Sequence, residues 1–249
     1  MEQLILPSTF TWQEGTKPSE RRLIIEPCYF GYGTTLGNAL RRVLLSSLPG
    51  AAATAVKIDG VSHEFSPIPH VQEDVMQILL NVKQLRLKVF TDEPVRLVLE
   101  AKGKREVTAG DIAAQSDVEI VNPDLHIASL SHADANLRME IFARRGRGYS
   151  TTDMRGKERL ELGTMAIDAV FTPIRNVGFR VENTRVGEIT NYDRLILTVE
   201  TDGTLTPEEA VRQAARLLID HFTLIIEPSK EPGVSDATAP EEAQPAGGE

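Results

Sequence analysis

The chain has one cysteine in 249 residues, Cys28, and so cannot close an internal disulfide. No run approaches the roughly 20 consecutive apolar residues that a membrane-spanning helix needs. Met1 leads into EQLILPSTF rather than into a basic stretch, a long apolar run and a cleavage site. These absences predict a cytoplasmic protein with no membrane role. Positive charge is in deficit too: 27 Lys and Arg stand against 36 Asp and Glu, a net of −9, so the surface as a whole repels a polyanion. From Lys230 onward one lysine faces five acids, a net of −4, and setting that tail aside still leaves −5. Any nucleic-acid contact must be local or made through a partner.

The residue sets of catalysis are missing as well. The five histidines (His63, His70, His126, His132, His221) are scattered, with no HExxH, CxxC or closely spaced acidic metal-binding run. There is no GxSxG elbow, and Cys28 beside Pro27 has no base partner visible in sequence. No active site, metal or cofactor is expected in this chain.

Two loops stand as alternatives. FGYGTTLG follows a strand and opens a helix, the place where backbone amides hold a phosphate. Its glycines, Gly31, Gly33 and Gly37, are spaced one residue longer than GxGxxG. They also suit a chain that must turn into a helix and pack that helix closely. In RRGRGY, residues Arg144, Arg145, Arg147 and Tyr149 make a small basic, aromatic patch, read either as an RNA contact or as a loop facing an acidic protein.

What the sequence does have is enough apolar residue, 41%, beside 25% charged, for one or two globular domains. Alternation or β-branched bias predicts strands over Arg21–Glu26, Ala51–Asp59, Leu85–Phe90, Val95–Ala101, Asn136–Arg144, Val177–Glu182 and Arg194–Thr201. Helical spacing predicts Thr34–Leu48, Val71–Gln84 and Pro207–Ile226, the last with Thr206 as cap and Pro207 at the first position. Few strands are separated by regular helices, so the fold class is α+β rather than a repeating βαβ series. Residues 230–249, KEPGVSDATAPEEAQPAGGE, hold three prolines and three glycines and are too poor in apolar residues to offset ordering entropy, which predicts a disordered acidic tail.

On the first helix Leu36, Ala39, Leu40, Val43, Leu44 and Ser47 share one arc, while Asn38, Arg41, Arg42 and Leu45 face the other way. A leucine flanked by arginines fits a protein interface, because the guanidinium stem packs while its fork hydrogen-bonds. It equally fits a solvated face. On the last helix Val211, Ala214, Ala215, Leu218, Phe222, Ile225 and Ile226 form a stripe that Leu217, Ile219 and Leu224 widen beyond what one surface helix needs. That excess is buried on both sides within one domain or covered by another chain, most simply a second copy about a twofold axis.

Several stretches, taken in order, resemble the N-terminal region of the bacterial RNA polymerase alpha-subunit family: FGYGTTLGNALRRVLLSSLPG, VKIDGVSHEFSPIPHVQEDVMQILLNVKQL, RRGRGY, IDAVFTPIRNVGFRVENTRVG and DGTLTPEEAVRQAA. The resemblance implies a non-catalytic scaffold within a nucleotidyltransferase complex. It implies a homodimer on which the beta and beta prime subunits assemble, with omega and sigma in the holoenzyme. Residues 1–46 with 171–229 would form a dimerisation subdomain, and 47–170 an inserted β-rich subdomain. By the same resemblance Arg42 and Leu45 contact beta, with Asn38 and Arg41 added by helical geometry, and Lys83 and Ile167 contact beta prime. The dimer interface is expected at Leu36, Leu40, Leu44, Val211, Leu218, Phe222 and Ile225. The family's C-terminal DNA-binding domain has no counterpart in these residues, so DNA binding is not expected of them.

Overall fold

The computed structural model describes residues 5–155 and 161–226; the expected acidic tail lies outside them. In chain order the elements are β1 (Thr9–Glu14), β2 (Glu20–Cys28), α1 (Tyr32–Ser46), β3 (Pro49–Ile58), α2 (Val75–Val82), β4 (Leu87–Val89), β5 (Val95–Lys102) and β6 (Arg105–Thr108). There follow β7 (Val118–Ile120), β8 (His126–Leu130), β9 (Asn136–Arg147), β10 (Tyr149–Ser150), β11 (Thr164–Ala166), β12 (Ala169–Val170), β13 (Ile174–Val186), β14 (Ile189–Thr201) and α3 (Pro207–Ile226). The strands pair antiparallel throughout, with three helices packed on them, an α+β fold.

Two four-stranded sheets organise the chain, in the orders β1-β2-β14-β13 and β11-β3-β9-β5. The first joins residues far apart in sequence, since β2 pairs with β14 in a register that places Leu23 opposite Leu197. Its alternate residues Leu23, Ile25, Leu195, Leu197 and Val199 point to one face and meet Leu40 and Leu44 of α1 and Ala210, Val211 and Ala214 of α3. The second sheet, with α2, encloses a separate core drawn from Ala53 to Ile167. A third small cluster, Ala52, Ala169 and Phe171, lies where the two halves meet.

Local chemistry explains the helix ends. At α3, Thr206 Oγ1 accepts from the Glu209 amide at 3.3 Å, and the Thr206 amide donates to Glu209 Oε2 at 3.2 Å, a reciprocal cap. The expected start of α2 at Val71 is four residues early. Val71 bridges to Leu130 and the Gln72 amide donates to the Ser129 carbonyl, so this stretch is spent on β8, and Asp74 caps the helix through the Gln77 amide at 2.7 Å. The helix expected from Thr34 begins at Tyr32, because Gly31 takes φ 76° and turns the chain directly into it.

The buried face of α1 also differs from expectation. It runs through Gly33, Gly37, Leu40 and Leu44, with Leu36 and Val43 half-buried beside it. A methyl group built on Gly37 would sit 2.6 Å from the Phe179 ring, and one on Gly33 2.9 Å from Asp193 Cβ. The glycines thus let α1 lie against β13 and β14 more closely than a side chain would permit.

A histidine clamp ties the segment leading into α2 to the β6-β8 pair. The His126 ring nitrogens each lie 2.8 Å from a carboxylate, Nε2 from Glu73 and Nδ1 from Glu106, while Glu73 also accepts from the Ser129 amide at 2.7 Å. Only the imidazolium can donate to both acids. The Glu73 bond, foremost, and then Glu106 raise the His126 pKa above the ordinary 6.5 against the opposing effect of burial. Burial pushes Glu73 up, but the Ser129 amide and His126 bring it below its usual value. A raised histidine contributes stability that is full below its unfolded pKa and lost as pH rises through the folded one. The stability difference between the wild type and His126→Ala should therefore be full below about pH 6.5 and shrink as pH rises through the raised folded-state pKa, as read in urea melts. A constant difference would contradict the clamp.

Candidate protein-interaction surfaces

The outward face of α1 carries Asn38, Arg41, Arg42 and Leu45, all exposed. Leu45 keeps 37% of its surface open although it is a large apolar residue, in the last turn of the helix. Arg41 is tied down: its Nε donates to the Val177 carbonyl of β13 at 3.2 Å. Arg42 has no ion pair among the described residues, which leaves its planar fork available beside Leu45.

A second surface is built from distant parts of the chain. Met76, Leu79, Leu80 and Lys83 of α2 face Thr164 to Asp168 across a groove of about 540 Å³. Lys83 Nζ stands 3.5 Å from Asp168 Oδ2 and 5.8 Å from the Tyr149 ring centre. Tyr149 donates its hydroxyl proton to Asp168 at 2.8 Å, and the Thr152 amide donates at 3.0 Å. The Tyr149 bond, then the Thr152 amide, hold the Asp168 carboxyl below its usual range. Lys83 and Ile167 are thus brought to one groove, but with different standing. Ile167 is 6% exposed and belongs to the core, and Arg155 donates to its carbonyl. Its side chain is mostly covered within the chain, at the edge of the open groove. Met76 and Leu80, exposed on the groove rim, were missed, because helical spacing on a short helix does not separate rim from core.

The third surface is the end of α3. Every residue from Ile219 to Ile226 is exposed, including Phe222 at 56% and Ile225 at 73%. These last two turns extend roughly 12 Å. The expected dimer residues therefore divide. Leu40, Leu44 and Val211 are consumed by the protomer's own core, at 7%, 0% and 9% exposure, because the close approach of α1 turns them onto the sheet. Leu36 and Leu218 are half-buried, and Phe222 and Ile225 are open.

At the first loop the structure bears out the packing reading: Gly31 turns the chain into α1, and Gly33 and Gly37 let the helix lie close to β13 and β14. At the start of α1 the Gly33 amide donates to Asp193 Oδ2 at 3.0 Å, so a buried carboxylate of the chain itself occupies the place a nucleotide phosphate would take and would repel one. In RRGRGY, Arg145 pairs with Asp92 at 2.8 Å, Tyr149 binds Asp168, and Gly146 lies under the Phe171 ring. That motif is largely a structural joint. Among the described residues no three His, Cys, Asp or Glu side chains gather as a metal site, and no helix is long and apolar enough to cross a membrane.

The chain thus has two cores, an antiparallel β-rich half and three open surfaces, and comparison with known proteins gives its class. Residues 56–172 match the family described as RNA polymerase Rpb3/RpoA insert domain. The DNA-directed RNA polymerase subunit alpha of Alkaliphilus oremlandii (strain OhILAs) is 50% identical over 205 residues, 82% of this chain and 64% of that protein. The chain belongs to the bacterial RNA polymerase alpha-subunit family and spans 64% of the length of that relative.

Proposed function

We propose that the chain is a non-catalytic assembly subunit of a DNA-directed RNA polymerase. Two copies pair through the open ends of α3, with residues 1–46 and 171–229 as the dimerisation subdomain and 47–170 as the insert; residues 227–229 lie outside those described. The dimer then offers Arg42 and Leu45, flanked by Asn38 and Arg41, to the beta subunit, and the groove beside Lys83 to beta prime. Omega and sigma join the larger enzyme, and nucleotide chemistry resides in the large subunits. The observation that carries this reading is the run of five large apolar residues on the last two turns of α3 (Ile219, Phe222, Leu224, Ile225, Ile226), each more than half exposed among the described residues. Apolar area of this kind marks an association surface, and a twofold axis lets the same stripe cover itself.

The docking part of the reading is tested on α1. Changing Arg42→Ala and Leu45→Ala together should leave the mass and melting temperature of the chain unaltered, since neither side chain enters its core. Capture of the purified beta subunit should fall by about 2 to 4 kcal/mol in binding free energy, the loss of one charge-assisted bond and one anchored leucine. Undiminished capture would overturn the assignment.

A further inference from the structure

A basic cleft crosses the joint between the two halves of the chain. Arg147 at the end of β9 and Arg216 on α3 line one depression of about 190 Å³ together with Pro49, Gln213 and Asp220. Pro49 and Gln213 also line a neighbouring depression of about 200 Å³, into which Lys88 and Arg145 face. The two are therefore one continuous track. Four cations line it, and Asp220 is the one carboxylate in the lining. Lys88 and Arg145 are engaged with Glu119 at 3.3 Å and Asp92 at 2.8 Å, pairs exposed enough to exchange readily. Arg147 and Arg216 have no ion pair among the described residues. On a chain of net charge −9 such a track is a local exception.

Its position matters as much as its charge. Pro49 stands three residues beyond the end of α1, and the carbonyl of Ser46 lies 3.8 Å from where a methyl group on Gly148 would be, next to Arg147. The track therefore begins where the Arg42 and Leu45 face of α1 stops.

We propose that this track receives an acidic, extended segment of the same subunit that docks on α1, its carboxylates engaging Arg147 and Arg216. The inference rests on the docking reading above and adds the chemistry of the docked segment. Spaced carboxylates fit better than a nucleic acid. Asp220 opposes a continuous polyanion, and the lining has no aromatic ring on which a base could stack. Because Arg147 belongs to the half with the larger core and Arg216 to α3, an acidic segment seated there also clamps the two halves together.

The test uses the full chain and the double variant Arg147→Glu with Arg216→Glu. As a control of equal charge change, Arg138→Glu with Arg212→Glu lies off the track. Capture of the purified beta subunit is measured at ionic strengths of about 0.05 M and about 0.3 M, on either side of a screening length of roughly 10 Å. The track variant should lose about tenfold in affinity at the lower salt and much less at the higher, with its dimer mass and the control unchanged. Wild-type capture by the track variant, with Leu45→Ala still impaired, overturns the inference and leaves the docking face standing. A peptide that alternates glutamate with glycine, so that its carboxylates are spaced, supplies an arm independent of beta: it should bind the wild type and not the track variant. Equal binding to both, or tighter binding of a thymidine hexanucleotide, overturns the acidic-segment assignment.

Discussion

A chain carrying Phe222→Glu and Ile225→Glu is expected to sediment as a 27.4 kDa monomer where the wild type has twice that mass. Both residues sit on the open end of α3 and touch none of the protomer's own core, so the substitution spares the fold. In a twofold pair each change counts twice. Burying a large apolar side chain is worth about 1.5 to 3 kcal/mol, and a glutamate in its place brings an added desolvation cost. Four such losses amount to several kcal/mol at least, a shift in dissociation constant of about a thousandfold or more. Leu40→Ala offers the contrast. It opens a cavity under α1 and should lower folding stability by about 2 to 5 kcal/mol while the surviving folded chain still pairs. A glutamate variant that remains dimeric would remove α3 from the interface.

Gly50→Ala is expected to have the second large effect, on folding itself. Gly50 pairs with Gly146 across β3 and β9, and the two absent side chains leave a notch filled by Phe171. A methyl group on Gly50 would lie 1.8 Å from the Phe171 carbonyl oxygen, and one on Gly146 2.7 Å from its ring. Neither contact has room to relax cheaply. The oxygen is backbone, and the Phe171 amide is held by the Gly148 carbonyl at 2.9 Å, so either a strand or the joint between the halves must move. Overpacking of this kind costs about 3 kcal/mol or more when backbone is the obstacle. Gly178→Ala, in the other sheet with nothing within 4 Å of the added methyl, should be neutral or stabilising by about 0.5 kcal/mol. Matching urea midpoints for the two variants would contradict the notch.

The parts of the fold legible in sequence are those governed by near neighbours. The start of α3 follows from Thr206, Pro207 and Glu209, with hydrogen bonds that span three residues, and the long strands β5 and β9 follow from their own alternation. Strands of two or three residues such as β7, β10 and β12 carry no pattern, because each exists through a partner strand elsewhere in the chain. Periodicity also cannot say how often a stripe is used. The first half of the α3 stripe is closed by Leu40, Leu44 and the sheet, and the second half is open, though both have the same spacing. The close packing that Gly33 and Gly37 suggest is legible in sequence, but its partners, β13 and β14, are not. RRGRGY shows its arginines in sequence but not Phe171, which lies more than twenty residues on and packs against Gly146.

The most direct test of the platform itself is the native mass of the complex formed when the chain is mixed with purified beta and beta prime subunits. The account predicts two copies of this chain for one of each large subunit, and no such complex from the Phe222→Glu, Ile225→Glu protein. A complex holding a single copy, or one that assembles equally well from the monomeric variant, would contradict it.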